Sequence, residues 1–250
     1  PAIRDPLWSR GLGDVYKRQC QEDVPFSRAI HPTTWRPWWS FGCGGLGDIG
    51  CHTIDTAYWA LGLGAPDRVE VDMTEKANPI HTPNGSIDTY KFPARGKQPA
   101  VDVKWIEGPR LPKAPKGYDW EIKGNGGFIM VGEKGGISHD GMRPNSPRLY
   151  PKSRWESYRK NANERVPKTL KRVPGIHNDW VNGIRNSEMT VSDFSYSGPL
   201  TESIILGTLA IRTGKGLEWS SKDMKISGNQ EAADLVNVEA RKGWRTSDLI

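Results

Sequence analysis

Cysteine is scarce in this 250-residue sequence: Cys20, Cys43 and Cys51 are the only three, and none forms a C-x-x-C pair. That excludes a zinc ribbon and a disulfide scaffold, and it is compatible with a reducing compartment. Long apolar runs are also missing. The most apolar stretch, Ser203 to Ile211, is far shorter than the ~18 to 20 residues of a membrane-spanning helix, so no membrane partner is expected. No signal peptide opens the chain, which starts at Pro1, and a cytoplasmic location is the expectation. Extended blocks of one charge are confined to residues 148–172, where nine Lys or Arg face two Glu within a chain of net charge +6. A single basic run without a nucleic-acid fold motif reads as a solvated loop, and no nucleic-acid partner is expected.

What is present suits a folded domain. Hydrophobic residues make up 36% of the chain, enough to bury a core. Residues 1–19 show no helix or strand period, and WSRGLGDVYKRQ resembles a translated sequencing-adapter read. They are expected to be non-native, leaving 20–250 as one substrate domain. Within it, Asp48 to Leu61 has helical spacing, whereas Arg68 to Met73 and Ala100 to Ile106 alternate as strands do. Further strands are expected at Ile87 to Phe92, Phe128 to Val131 and Ile137 to His139, with a turn at Gly132 to Gly136. Helices follow at His177 to Glu188, with Trp180, Val181 and Ile184 inward, at Pro199 to Thr213 with Pro199 in the first turn, and at Gln230 to Ala240. Grouped strands with helices at the edges predict an α+β fold around a mostly antiparallel sheet.

The stretch GCGGLGDIGCHTIDTAYWALG carries G-x-G-x-x-G at Gly42, Gly44 and Gly47. A dinucleotide cradle needs a buried strand before the glycines, but RPWWSF is short, broken by proline and aromatic, so the context fails. The helix behind it is more informative. Asp48, His52 and Asp55 stand at i, i+4 and i+7, within about 60° of one another at about 100° per residue. An Asp beside a His can orient the ring for proton transfer, and a second Asp can accept hydrogen bonds from polyol hydroxyls. The same spacing also describes a capping Asp on an ordinary polar face. Trp35, Trp38 and Trp39 just upstream offer aromatic faces of the kind that sugar C–H groups use, although core packing is their commoner role. Trp35 and its neighbour Arg36 join Asp55 as candidate substrate-binding positions. No metal site is expected: Cys51 and His52 are adjacent and diverge on a helix, and Cys51 reads as a small core residue.

HPTTWRPWWSFGCGGLGDIGCHTIDTAYWALGL at 31–63, GEKGG at 132–136, HNDWVNGIR at 177–185, YSGPLTESIILGTLAIRTGKGLEW at 196–219 and EARKGW at 239–244 together resemble the substrate domain of the Gfo/Idh/MocA oxidoreductases. The resemblance implies that His52 is the acid/base acting on a substrate hydroxyl, with Asp48 as its catalytic partner and Asp55 holding the substrate. It implies NAD or NADP as cofactor, a sugar, cyclitol or polyol as substrate, and a homo-oligomer formed through the sheet face. It also implies an N-terminal Rossmann domain and a Glu-Lys-Pro motif. Neither is found in this sequence, so no cofactor-binding residues are assigned within it, and the chain alone is expected to be inactive. An NAD-retaining glycoside hydrolase of the same architecture, or a non-catalytic carbohydrate-binding or assembly module, are the alternatives.

Overall fold

The structure, a computed structural model, describes residues 27–236 except 29, 31, 32, 111, 117, 119–125, 162, 164, 168 and 171, together with Gly243. The expected non-native segment 1–19, the end of the last predicted helix and most of EARKGW lie outside the described residues. The fold is α+β, with two antiparallel sheets and five helices among the described residues. It divides into two units: 1–50 with 66–111 and 204–250, and 51–65 with 112–203. Helix α1 (Gly44–Leu61) and helix α4 (Phe194–Thr213) each contribute to both.

The first unit is built on β1 (Arg68–Met73), β2 (Ser86–Phe92), β3 (Val101–Glu107), β7 (Leu217–Ser220) and β8 (Lys225–Ser227), in the spatial order β3-β2-β1-β7-β8. The alternation read from RVEVDM gives β1 its observed limits, and β2 and β3 fall within one residue of expectation. Register aligns Leu217, Val69, Tyr90 and Val103 in one row across four strands, and the first three are almost wholly buried. This row, with Leu46, Leu206, Ala210 and Ile211 from the helices, forms the core; burial of such side chains stabilises by roughly 1.5–3 kcal/mol each. Helix α5 (Gln230–Val236) closes the unit, started by Asn229, whose Oδ1 accepts the Ala232 N–H. Strands β7 and β8 escape the sequence pattern because they have only four and three residues.

The second unit holds a three-stranded sheet, β4 (Gly127–Gly132), β5 (Gly135–Asp140) and β6 (Asn145–Tyr150), joined at the expected turn. The basic stretch is not a plain loop: it contains the end of β6 and helix α2 (Lys152–Lys160), whose side chains are all at least partly exposed. Helix α3 (Ile176–Asn186) is present but rotated from expectation. Trp180 and Ile184 are exposed at 63% and 65%, and Val181 at 37%. The inward residue is Asp179, whose Oδ2 accepts the Val191 N–H at 2.8 Å; that polar anchor turns the apolar stripe outward. Helix α4 begins five residues before Pro199, because Asp193 caps it by accepting the Ser195 N–H at 2.8 Å. Pro199 therefore lies inside the helix, and Gly198 before it has no Cβ to clash with the proline ring.

Candidate active-site helix

Helix α1 starts at Gly44, four residues earlier than its polar pattern suggests, so Gly44, Gly45 and Gly47 lie in its first turn or just beyond and Asp48 stands beyond its first turn. The glycines serve close packing within the first unit. A Cβ on Gly42 would come within 2.5 Å of the Arg36 carbonyl oxygen, and one on Gly45 within 2.1 Å of a Glu107 carboxylate oxygen. Gly44 has φ +74, a left-handed conformation suited to glycine, and faces Thr82. The space that a pyrophosphate would need is thus filled by the chain itself, and Gly42, Gly44 and Gly47 do not fit a dinucleotide.

Arg36 donates from Nε to Asp48 Oδ2 and lies over the Trp35 ring, 5.1 Å from its centroid. One guanidinium therefore orders both the expected catalytic partner and the expected aromatic platform. Asp48 remains 29% exposed in its side chain, so this pair is a positional device more than a large source of stability. Trp39 is a core residue whose indole N–H donates to the Asn78 carbonyl at 2.8 Å, and Trp38 meets His81 edge to face. Of the three tryptophans only Trp35 stands beside the candidate residues. Cys43 is held above its usual thiol range by burial first and by the Asp48 charge second.

Further along α1, in the second unit, His52 is exposed. Asp55 accepts a hydrogen bond at Oδ1 from the Tyr196 hydroxyl near the start of α4. Burial, then this hydrogen bond and the carboxylate charge, hold Tyr196 far above the usual phenol range, so it stays a donor. Tyr58, pushed up to about 12 by burial and then by Glu202, packs edge to face on Tyr196 and donates to the Gly64 carbonyl at 3.0 Å. Thr56 Oγ1 lies 3.2 Å from His139 Nε2, which ties α1 to β5.

The helix thus puts Asp48, His52 and Asp55 on one face, as their spacing requires, with the first carboxylate held by Arg36 and the last by Tyr196. Tyr196 escapes sequence reasoning because its partner lies 141 residues away. Cys51 is exposed rather than a core residue, since the apolar side of α1 is carried by Ile54, Ala57 and Tyr58. Among the described residues no three His, Cys, Asp or Glu side chains converge as a metal site, and no helix is long and apolar enough to cross a membrane.

The GFO/IDH/MocA C-terminal domain matches residues 2–137, more than half of the chain. The chain belongs to this family. The match contains α1 and all of β1 to β4, and it includes the segment 2–19. It places the chain among domains of oxidoreductase type, in a family that is generally NAD(P)-dependent. The α+β architecture agrees with that assignment. No curated protein matches the chain.

Proposed function

We propose that this chain is the substrate-binding and proton-transferring part of an NAD(P)-dependent oxidoreductase acting on a hydroxyl of a sugar, cyclitol or related polyol. The observation that carries the reading is the α1 face, where an exposed His52 stands between two carboxylates that are each fixed by a separate partner. At i and i+4 the Asp48 and His52 Cβ atoms are about 5–6 Å apart, within reach of carboxylate-to-imidazole pairing. His52 takes the proton from the substrate hydroxyl at a ring nitrogen, and Asp48 stabilises the imidazolium so formed. Because His52 is exposed, the proton can pass on to water. Arg36 keeps Asp48 aligned, and the Trp35 ring beside it suits the C–H face of a sugar. Asp55 accepts the Tyr196 hydroxyl at Oδ1 and keeps Oδ2 to accept from a substrate hydroxyl.

A nicotinamide supplies hydride acceptance in such chemistry. The glycine stretch at Gly42 to Gly47 does not fit it, because neighbouring chain atoms fill that space.

The test is an assay of the protein as its gene encodes it, with NAD or NADP and a panel of sugars and polyols. Nicotinamide reduction that falls about 100-fold or more in His52→Ala supports the reading. Undiminished turnover in that variant overturns it and leaves a binding or assembly module. A free reducing sugar with no net cofactor reduction reassigns the same site to glycoside hydrolysis.

A further inference from the structure

A second cleft lies well away in sequence from the α1 face, wholly inside the second unit. It is about 360 Å³ in volume and is formed by β5, β6 and helix α2. That size is within the range of small-molecule sites. Its helical wall is one face of α2, with Lys152, Trp155, Glu156 and Arg159 at i, i+3, i+4 and i+7. Its sheet wall pairs Arg148 with Ser138 across β6 and β5.

The side chains divide into three chemistries. Arg148, Lys152 and Arg159 bring positive charge from both walls, and none of them takes part in an ion pair among the described residues. Their neighbour Arg154, by contrast, is spent on the Lys134 carbonyl. Trp155 is half-buried, braced by the stacked Tyr158 ring at 6.0 Å, and offers a flat apolar surface. Asp140 and Glu156 supply carboxylates that accept hydrogen bonds from hydroxyls. At the base His139 is buried to 3% exposure, held in place by Thr56. Its Nδ1 is buried without an aligned hydrogen bond, and burial lowers the imidazole below its usual range, the backbone at Asp140 and Gly141 opposing that shift only in part. Pro151 at the start of α2 has no side chain to cap the helix, so the positive end of α2 adds to the Lys152 charge.

Cations alone would suit any anion, and an aromatic floor alone any ring. Carboxylates in the same cleft select against a compact polyanion and for a ligand that presents hydroxyls as well as one anionic group. We propose that this cleft binds an anionic monosaccharide, its phosphate or carboxylate group held by Arg148, Lys152 and Arg159, its ring on Trp155, and its hydroxyls directed to Asp140 and Glu156. The cleft is lined by none of Asp48, His52 and Asp55, and its proposal does not depend on the oxidoreductase reading.

Calorimetric titration of the 250-residue chain with glucose 6-phosphate, glucuronate, glucose and inorganic phosphate tests this directly. Saturable binding of at least one of the two anionic sugars is expected, and which of them binds identifies the anionic group. Glucose and inorganic phosphate should each bind about tenfold or more weaker, and added salt should weaken the anionic sugar. Arg148→Gln with Arg159→Gln should abolish binding. Both side chains are exposed, and unchanged circular dichroism would show the fold kept. Trp155→Ala should weaken the sugar but not inorganic phosphate, and His52→Ala should change neither. Four results would overturn the proposal: no saturable binding, equal binding by the double variant, inorganic phosphate as tight as the anionic sugar, or loss of binding in His52→Ala.

Discussion

The two units of this chain bury their apolar residues to very different degrees. In the first, Leu46, Val69, Tyr90 and Leu217 are nearly inaccessible, and a cross-strand row continues through four strands. Of the large apolar side chains left exposed, all but Ile80, Ile205 and Met224 belong to the second unit. There the sheet has only three strands, α2 buries nothing fully, and the single buried residue of α3 is a carboxylate. The first unit is therefore held by close packing, where small changes in volume are felt; the second relies more on particular polar anchors such as Asp179 and the Tyr196–Asp55 pair.

Truncation in the tight core gives the largest expected effect. Leu46→Ala should cost about 4 kcal/mol in urea unfolding, by lost burial and the cavity left behind. A loss below about 1 kcal/mol would mean that the first unit repacks freely and is no more closely packed than the second.

Asp88 comes next. It is fully buried on β2, accepts a hydrogen bond from Ser86 at 2.7 Å, and has its carboxyl raised to about 7, by burial first, with Glu107 adding to the rise and the Ser86 bond opposing it. Between about pH 4 and pH 7 the folded state keeps a proton that the unfolded chain releases. Stability should therefore fall as pH rises through that window and level off above it. Asp88→Asn should remove the slope, gaining on the order of 3 kcal/mol at pH 8 and little at pH 4. Parallel pH profiles for wild type and variant would sink this account.

Gly207 on α4 tests overpacking in the same unit. A Cβ there would stand 1.9 Å from the Tyr90 hydroxyl and 2.8 Å from Leu46, so Gly207→Ala should destabilise by about 2 kcal/mol despite its better helix propensity. In the second unit, Tyr196→Phe removes the donor to Asp55 and should cost about 1 kcal/mol while raising KM for the proposed substrate. Smallest of all, Trp180→Ser on the exposed face of α3 should shift stability by less than about 0.5 kcal/mol. A larger loss there would show that the outward stripe is covered in solution.

Much of the first unit was legible in the sequence. Alternation in RVEVDM, in Ile87 to Phe92 and in AVDVKWI marks three neighbouring strands, because a half-buried strand must repeat every two residues. The spacing of Asp48, His52 and Asp55 likewise fixes their common face once α1 is a helix. Local pattern failed where distant partners decided the outcome. Glycine has poor helix propensity, yet Gly44, Gly45 and Gly47 begin α1, because only residues without a Cβ can lie so close to Thr82, Glu107 and Cys43. The apolar stripe of α3 pointed inward on periodicity alone, but the hydrogen bond from Val191 to Asp179 set its rotation.

By itself, then, the sequence determined the α+β class, the strands of the larger sheet and the order of polar groups along α1, since these follow from periods of two and 3.6 residues. Only tertiary structure decided that Arg36 holds Asp48, that Tyr196 holds Asp55, that Asp88 lies buried with a raised pKa, and that a basic stretch folds into one wall of a cleft. Each depends on groups far apart in the chain, whose meeting is governed by packing and the desolvation of charge rather than by any local pattern.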